Sequence, residues 1–169
     1  AYPDLQGFGR RRIDMAPAEL EAMVVYQIGA LQGIAAAEQH RVTHVKPHGA
    51  LNNQACADAG VAAAICRAVR GVDSHLILLA PAASALLAAG REAGLKVIEE
   101  IFADRAYQDN GQLAPRGTPG AMVHGAENCA AHVQAGRRVL CADVEDAGFW
   151  RGLDISRLQA VVLAMDGID

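Results

Sequence analysis

Apolar residues along this chain follow two periods in alternation. Leu20, Val24, Ile28, Leu31 and Ala35 recur every three or four positions and mark one face of a helix. Pro17, placed for a first turn, opens that helix, and the pattern predicts that it runs to about Gln39. Val42 to Val45 reads as a short buried strand, and residues 50–70 return to helix. Leu76 to Ala80 is an unbroken apolar run, the signature of a strand covered on both faces. A helix over 82–94 stops at Gly94, and Lys96 to Ile101 is a further strand. Tyr2 to Arg12, with Pro3, Gly7 and Gly9, is a loop; Asp109-Asn110-Gly111 is a turn, and 115–120 a loop. Residues 14–107 thus alternate helix and strand, which predicts an α/β fold of parallel strand–helix repeats.

The tail changes character. Arg137 to Ala142 reads as a strand, Asp143 to Asp146 as an acidic loop, Phe149 to Arg151 as a short helix and Ala160 to Met165 as a second apolar strand. A buried parallel strand needs its crossover covered, so an end just past Met165 is unexpected for a domain. Likewise Ala1, rather than Met, stands at the head of a dense motif, and an upstream start is expected.

Composition narrows the picture. With 169 residues, one domain is the expectation. Hydrophobic residues make up 52% and aromatics only 4%, so the core must be built from Val, Leu, Ile and Ala. A net charge of −4 leaves no electrostatic footprint for nucleic acid or an anionic membrane. Arg10-Arg11-Arg12 reads as a solvated loop in preference to an anion clamp. The four cysteines form no CxxC and no metal-ligand spacing, and Cys56 and Cys66 read as small core residues. With no secretory leader and no apolar run of about 18 residues, no membrane span is expected, and the location expected is cytoplasmic.

Polar groups cluster where the predicted strands end, the edge that carries chemistry in α/β folds. Lys46 and His48 follow the first strand, Ser84 the second, and Asp104 and Arg105 the third. His48 suits a general acid or base, a metal ligand, or a hydrogen-bonded structural role. Lys46, two positions earlier, shares its side in an extended segment, which favours a working pair. His44 lies within the strand and reads as structural. Asp104 and Arg105 either orient a substrate or form a local ion pair. Asp4 is either an Asx-turn residue or a site carboxylate. Arg116 lies in a Pro/Gly-bounded loop, open to function or to solvent. No Ser-His-Asp order or phosphate loop is present.

Several ordered motifs carry a family resemblance: Tyr2-Pro3-Asp4-Leu5 with Gly7-Phe8-Gly9-Arg10-Arg11, Tyr26 to Leu31, HVKPHGAL at 44–51 with Asn53-Gln54-Ala55, FADRAY at 102–107, Arg116, and PGAMVH at 119–124. Through them, residues 1 to about 124 resemble the LamB/YcsF family, which includes the A subunit of prokaryotic 5-oxoprolinase. The resemblance implies part of a distorted seven-stranded β/α barrel of the glycoside hydrolase/deacetylase type. It implies a hydrolase that opens the cyclic amide 5-oxo-L-proline to L-glutamate, using ATP, with Mg, alongside the B and C subunits. The implied chemistry is phosphorylation of the lactam carbonyl followed by attack of water. Carried over, the catalytic candidates are His48, Lys46 and Asp104. The substrate-binding candidates are Asp4, Arg10, Asn53, Arg105 and Arg116, and no resident metal is expected. Asn52 stands where the family usually has tyrosine. The family's upstream acidic, Cys-Gly-Phe-His and His-Pro motifs are absent, as is its later Val-His-Gly-Asp strand end.

Residues 125–169 are similar to part of the Rossmann-like, dinucleotide-binding regulatory domain (TrkA-N type) of potassium-efflux systems. That resemblance implies Glu127 as the acidic residue that ends a second strand and holds a ribose, and Asp143 in the loop after a third. The glycine-rich first turn of that fold is missing. A junction is expected between Gly120 and Ala126. The main expectation is the oxoprolinase subunit, active or inactive as a fragment; the alternatives are an NAD- or AMP-sensing module and an inactive fusion remnant.

Overall fold

In the computed structural model, residues 1–132 are described. The strands expected at 137–142 and 160–165, the helix near Trp150 and the loop with Asp143 lie outside the described residues. The elements run α1 (Pro17–Ala37), β1 (His44–Val45), α2 (Gly49–Ala57), α3 (Ala59–Val72), β2 (Ile77–Pro81), α4 (Ala85–Glu92) and β3 (Lys96–Glu100). The strands form a sheet in the order β1-β2-β3. β1 and β2 are parallel, with His44 opposite Ile77 and Val45 opposite Leu78. This is the α/β alternation that the apolar periods predict.

The helix expected over 50–70 is two helices. Asp58 breaks it: its backbone is extended, and its carboxylate accepts the amide hydrogens of Gly60 and Val61 at 2.8 and 3.1 Å. Alanines on both sides favour helix, yet an aspartate whose side chain satisfies two orphan amides defines a new N-terminus. The first strand is shorter than expected, although the Thr43 carbonyl still accepts from the Ile77 amide at 3.1 Å. α4 starts at Ala85 rather than 82 because the Ser84 hydroxyl caps it, accepting from the Leu87 amide at 3.1 Å.

Leu20, Val24 and Ile28 of α1 enter the core, as their spacing predicts. Leu31, expected on the same buried face, is 54% exposed. α1 packs on α3, which has 14 residues against 21, and every buried residue of α1 lies in its first twelve positions. By length and composition alone α1 could cross a membrane. Gln27 and Gln32 interrupt its apolar run, which is why the sequence flags no span.

Two compact units divide the chain, Ala1–Glu99 and a second that begins at Glu100. The first holds a core of Leu51, Ile65, Val69, Leu76, Leu78 and Leu86, each at most 1% exposed, with Ala55, Ala62, Ala64 and Ala68 between them. Alanines let the helices approach closely, as the alanine-rich, aromatic-poor composition predicts. Cys66 is part of this core, and burial pushes its thiol up to about 11, which leaves it unreactive at neutral pH. At Gly90 an added Cβ would lie 2.8 Å from both Leu78 and Val97, so α4 sits tight on β2 and β3 only because that position is bare.

Short bridges run through the described part of the second unit, residues 100–132. Arg105 pairs antiparallel with Met122, and Tyr107 with Leu113. The turn at Asp109-Asn110-Gly111 reverses the chain as expected, with the Gly111 amide donating to the Gln108 carbonyl at 2.9 Å.

Candidate functional site

In the first unit, the 1–12 loop folds over the start of α2. Asp4 organises it. Its buried carboxylate accepts from the Gly7 amide at 3.0 Å and the Arg11 amide at 3.2 Å, and pairs with the Arg11 guanidinium. The Arg11 side chain, then these two backbone donors, hold the carboxyl down at about 2. Of the two roles open for Asp4, the geometry displays the turn-forming one. Tyr2, 4% exposed, donates its hydroxyl hydrogen to the Gln54 side chain of α2 at 2.5 Å.

The loop then meets α2 through two consecutive carbonyls. That of Gly9 accepts the Ala50 amide at 2.9 Å, and that of Phe8 lies 3.1 Å from His48 Nε2. Gly49 makes room for this contact, since an added Cβ there would sit 2.4 Å from the Gly9 oxygen. His48 is the N-cap residue of α2 and is exposed, with its ring edge-on to Phe8 at 5.1 Å. Arg10 is exposed, its guanidinium 5.9 Å from the Phe8 ring centre.

One cavity takes in Lys46 and not His48. Lys46, half-buried, lines a cavity of about 240 Å³ between α1 and β1 together with His44, Gln27, Ile28 and Leu31; His48 is not among its lining residues. Pro47 is buried between them. His44, Val45, Lys46 and Pro47 all line the cavity, so it does not follow the two-residue alternation; β1 ends at Val45 and the chain turns into α2 before His48. Asn53 is exposed, whereas its neighbour Asn52 is 6% exposed with a buried Oδ1 that has no hydrogen-bond partner among the described residues. Ser84 is committed to structure: its hydroxyl donates to the Pro81 carbonyl at 2.6 Å while capping α4.

The second unit gathers its own polar cluster after β3. Glu100, 1% exposed, ends the strand. Asp104 buries its Oδ1 with no hydrogen-bond partner among the described residues, and its backbone carbonyl accepts from the Val123 amide at 2.8 Å. Arg105, 9% exposed, donates from its guanidinium to the Ala114 carbonyl at 2.7 Å. Tyr107 accepts the Phe102 amide at 2.7 Å, and burial pushes its phenol up to about 12. His132 stacks on Tyr107 at 5.9 Å and brings Nε2 to 2.7 Å from the Arg105 carbonyl. Arg116 is exposed, with a long contact of 3.8 Å to the Met122 sulfur.

Glu100, Tyr107 and His132 were not among the expected site residues. Glu100 carried a signal, a carboxylate at an inward position of an otherwise regular strand. His132 carried none, because it reaches Arg105 across 27 residues. Glu127, expected at a strand end, is instead exposed in a helical segment at 126–132. Gly125, at φ 86°, starts that segment, with its carbonyl taking the Cys129 amide at 2.9 Å. Among the described residues no group of three or more His, Cys, Asp or Glu is placed to hold a metal ion.

The sequence profile of the LamB/YcsF family matches residues 1–144, beyond the boundary expected near 124. A 5-oxoprolinase A subunit from Azoarcus is 65% identical over 133 residues, covering 79% of this chain and 52% of that protein. Its counterpart from Bordetella pertussis is 53% identical over 133 residues, covering 79% and 53%. The crystal structure of a lactam utilization protein from Thermus thermophilus superposes with a TM-score of 0.71 at 46% identity, covering 76% of this chain and 52% of that one. The chain thus spans about half the length of the curated relatives it matches.

Proposed function

The chain belongs to the LamB/YcsF family, and on that ground we propose that it serves as the part of a 5-oxoprolinase A subunit that carries His48, Lys46 and Asp104. The reaction is the ATP-dependent hydrolytic opening of 5-oxo-L-proline to L-glutamate in the cytoplasm, in an assembly with the B and C subunits. The observation that carries this is the family match over residues 1–144, which takes in every candidate residue.

Hydrolysis of a lactam needs a base for water, a donor for the departing nitrogen and a stabiliser for the carbonyl oxygen. His48, exposed and held by one ring nitrogen, takes the proton from water and returns it to the ring nitrogen as the C–N bond breaks. Lys46 stabilises the oxygen that gains charge. Asp104, which belongs to the second unit and buries its Oδ1, stays a catalytic candidate with no step assigned to it. Arg10 and Asn53, both exposed in the first unit, are the groups proposed to meet the substrate carboxylate, and Arg116, exposed in the second unit, stays a substrate-binding candidate. Asp4 and Arg105 act on the loops, since their side chains are bonded to Arg11 and to the Ala114 carbonyl.

ATP, with Mg, is proposed as the energy source. Phosphates favour open helix N-termini, and here the ends of α2, α3 and α4 are closed by the Gly9 carbonyl, the Asp58 carboxylate and the Ser84 hydroxyl. None of these three ends is proposed as the nucleotide's site, whereas that of α1 carries no side-chain cap. Glu127, on a helix rather than at a strand end, is not favoured as a ribose ligand.

The experiment mixes this chain with the B and C subunits and follows glutamate formed from 5-oxoproline and ATP. Turnover is expected, with His48→Ala lowering it by about 100-fold or more. Absence of turnover with the unaltered chain would overturn the reading, and unchanged turnover in the variant would remove His48 from the site.

A further inference from the structure

Phe8 is a bulky residue in a left-handed backbone conformation, φ 54°, where such a residue is a rare outlier. The other non-glycine residues in that region among those described have local reasons. Gln39 follows the end of α1, and Ala83 precedes the Ser84 cap. Phe8 and Gly9 are the central residues of a turn closed by the Arg10 amide on the Gly7 carbonyl at 2.9 Å, and Phe8 is 70% exposed, so burial does not repay the strain. Besides closing that turn, the conformation aims the Phe8 carbonyl at His48, 3.1 Å from Nε2. Gly9, also left-handed at φ 68°, sends the next carbonyl to the Ala50 amide, so two successive oxygens grip the residue before α2 and its first turn.

A carbonyl oxygen only accepts hydrogen bonds. The nitrogen facing it must therefore carry the hydrogen, and a neutral imidazole held in this way has its lone pair on Nδ1. We infer that Phe8 is a positioning residue whose strained backbone fixes His48 as the Nε2–H tautomer and leaves Nδ1 as its basic nitrogen. The inference rests on the reading of His48 as a proton carrier and states which nitrogen does the work. The same contact survives protonation, because Nε2 remains a donor in the imidazolium. His48 can then accept a proton at Nδ1 and release it without turning its ring. The Phe8 ring, edge-on to His48 with Arg10 over its face, limits ring rotation further.

The test is long-range ¹H–¹⁵N correlation of the histidine rings in this chain, with His48 assigned by its loss in His48→Gln. The unaltered chain is expected to show neutral His48 as a single Nε2–H tautomer. Phe8→Gly, which accepts φ 54° without strain, should keep that signature. Phe8→Val, β-branched and disfavoured there, should give the mixed tautomers of a solvated imidazole. An Nδ1–H or averaged signature in the unaltered chain overturns the inference, as does a folded Phe8→Val with unaltered His48 shifts. Should Phe8→Val lose its amide dispersion, the unaltered chain and Phe8→Gly decide the matter alone. Failure of the functional reading is separate: a fixed tautomer with turnover indifferent to His48→Ala would sink the function and leave the hold on the imidazole standing.

Discussion

The units on either side of Glu99 solve the same problem differently. The first packs helices on a sheet around aliphatic side chains, and its interior is leucine, isoleucine, valine and alanine. The second, over residues 100–132, has bridges of single residue pairs and an interior that admits Glu100, Arg105 and the Asp104 oxygen. Stability in the first comes from apolar area; order in the second depends on directional hydrogen bonds. Yet both present a histidine in the same manner, Nε2 against a backbone carbonyl, from Phe8 in one and Arg105 in the other. A backbone oxygen fixes an imidazole whatever the surrounding architecture, provided a loop can deliver it.

The largest expected effect tests the apolar side of this contrast. Leu78 is fully buried at the centre of the sheet. Leu78→Ala should cost about 2–5 kcal/mol in urea unfolding, the range for a cavity left in a packed core. A loss below about 1 kcal/mol would mean that the first unit is not held by its core. A smaller effect is expected in the second unit. Tyr107→Phe removes the acceptor of the Phe102 amide and should cost about 1 kcal/mol or somewhat more. Hydrogen exchange at Phe102 should rise by about tenfold in that variant, and unchanged protection would show that water or packing replaces the phenol.

The smallest effect is confined to the 1–12 loop. Asp4 titrates at about 2 in the folded chain against an ordinary value of 3.8. A depressed carboxyl contributes its stabilisation in full above the unfolded value and loses it as pH falls toward the folded one. Protection of the Gly7 and Arg11 amides should therefore decline between about pH 4 and pH 2, by the linkage of those two values. Asp4→Asn should remove that dependence, and a decline that persists in the variant would assign it to another group.

Much of the first unit was legible in the chain. Apolar periods locate α1, β2, α4 and β3 to within a few residues, because burial of one face repeats with the geometry of the element itself. The break at Asp58 was written there as an aspartate before Ala-Gly, but helix-forming alanines on both sides masked it. The second unit was legible as a turn and a motif, not as a structure. Its bridges join residues whose hydrophobic pattern has no period, so nothing local announces that Arg105 is buried or that His132 covers Tyr107.

Composition and local pattern were thus enough for the order of helices and strands, the aliphatic core and the inventory of polar groups at strand ends. Each of these depends on residues a few positions apart. The use made of those polar groups came from contacts the fold makes: Asp4 spent on its own loop, Arg105 on the Ala114 carbonyl, Lys46 placed on a cavity that His48 does not line, and His48 held by Phe8 from 40 residues away. A carboxylate, guanidinium or imidazole takes whichever donor or acceptor the folded chain brings within about 3 Å. That choice is made when the segments meet, and no spacing along the chain records it.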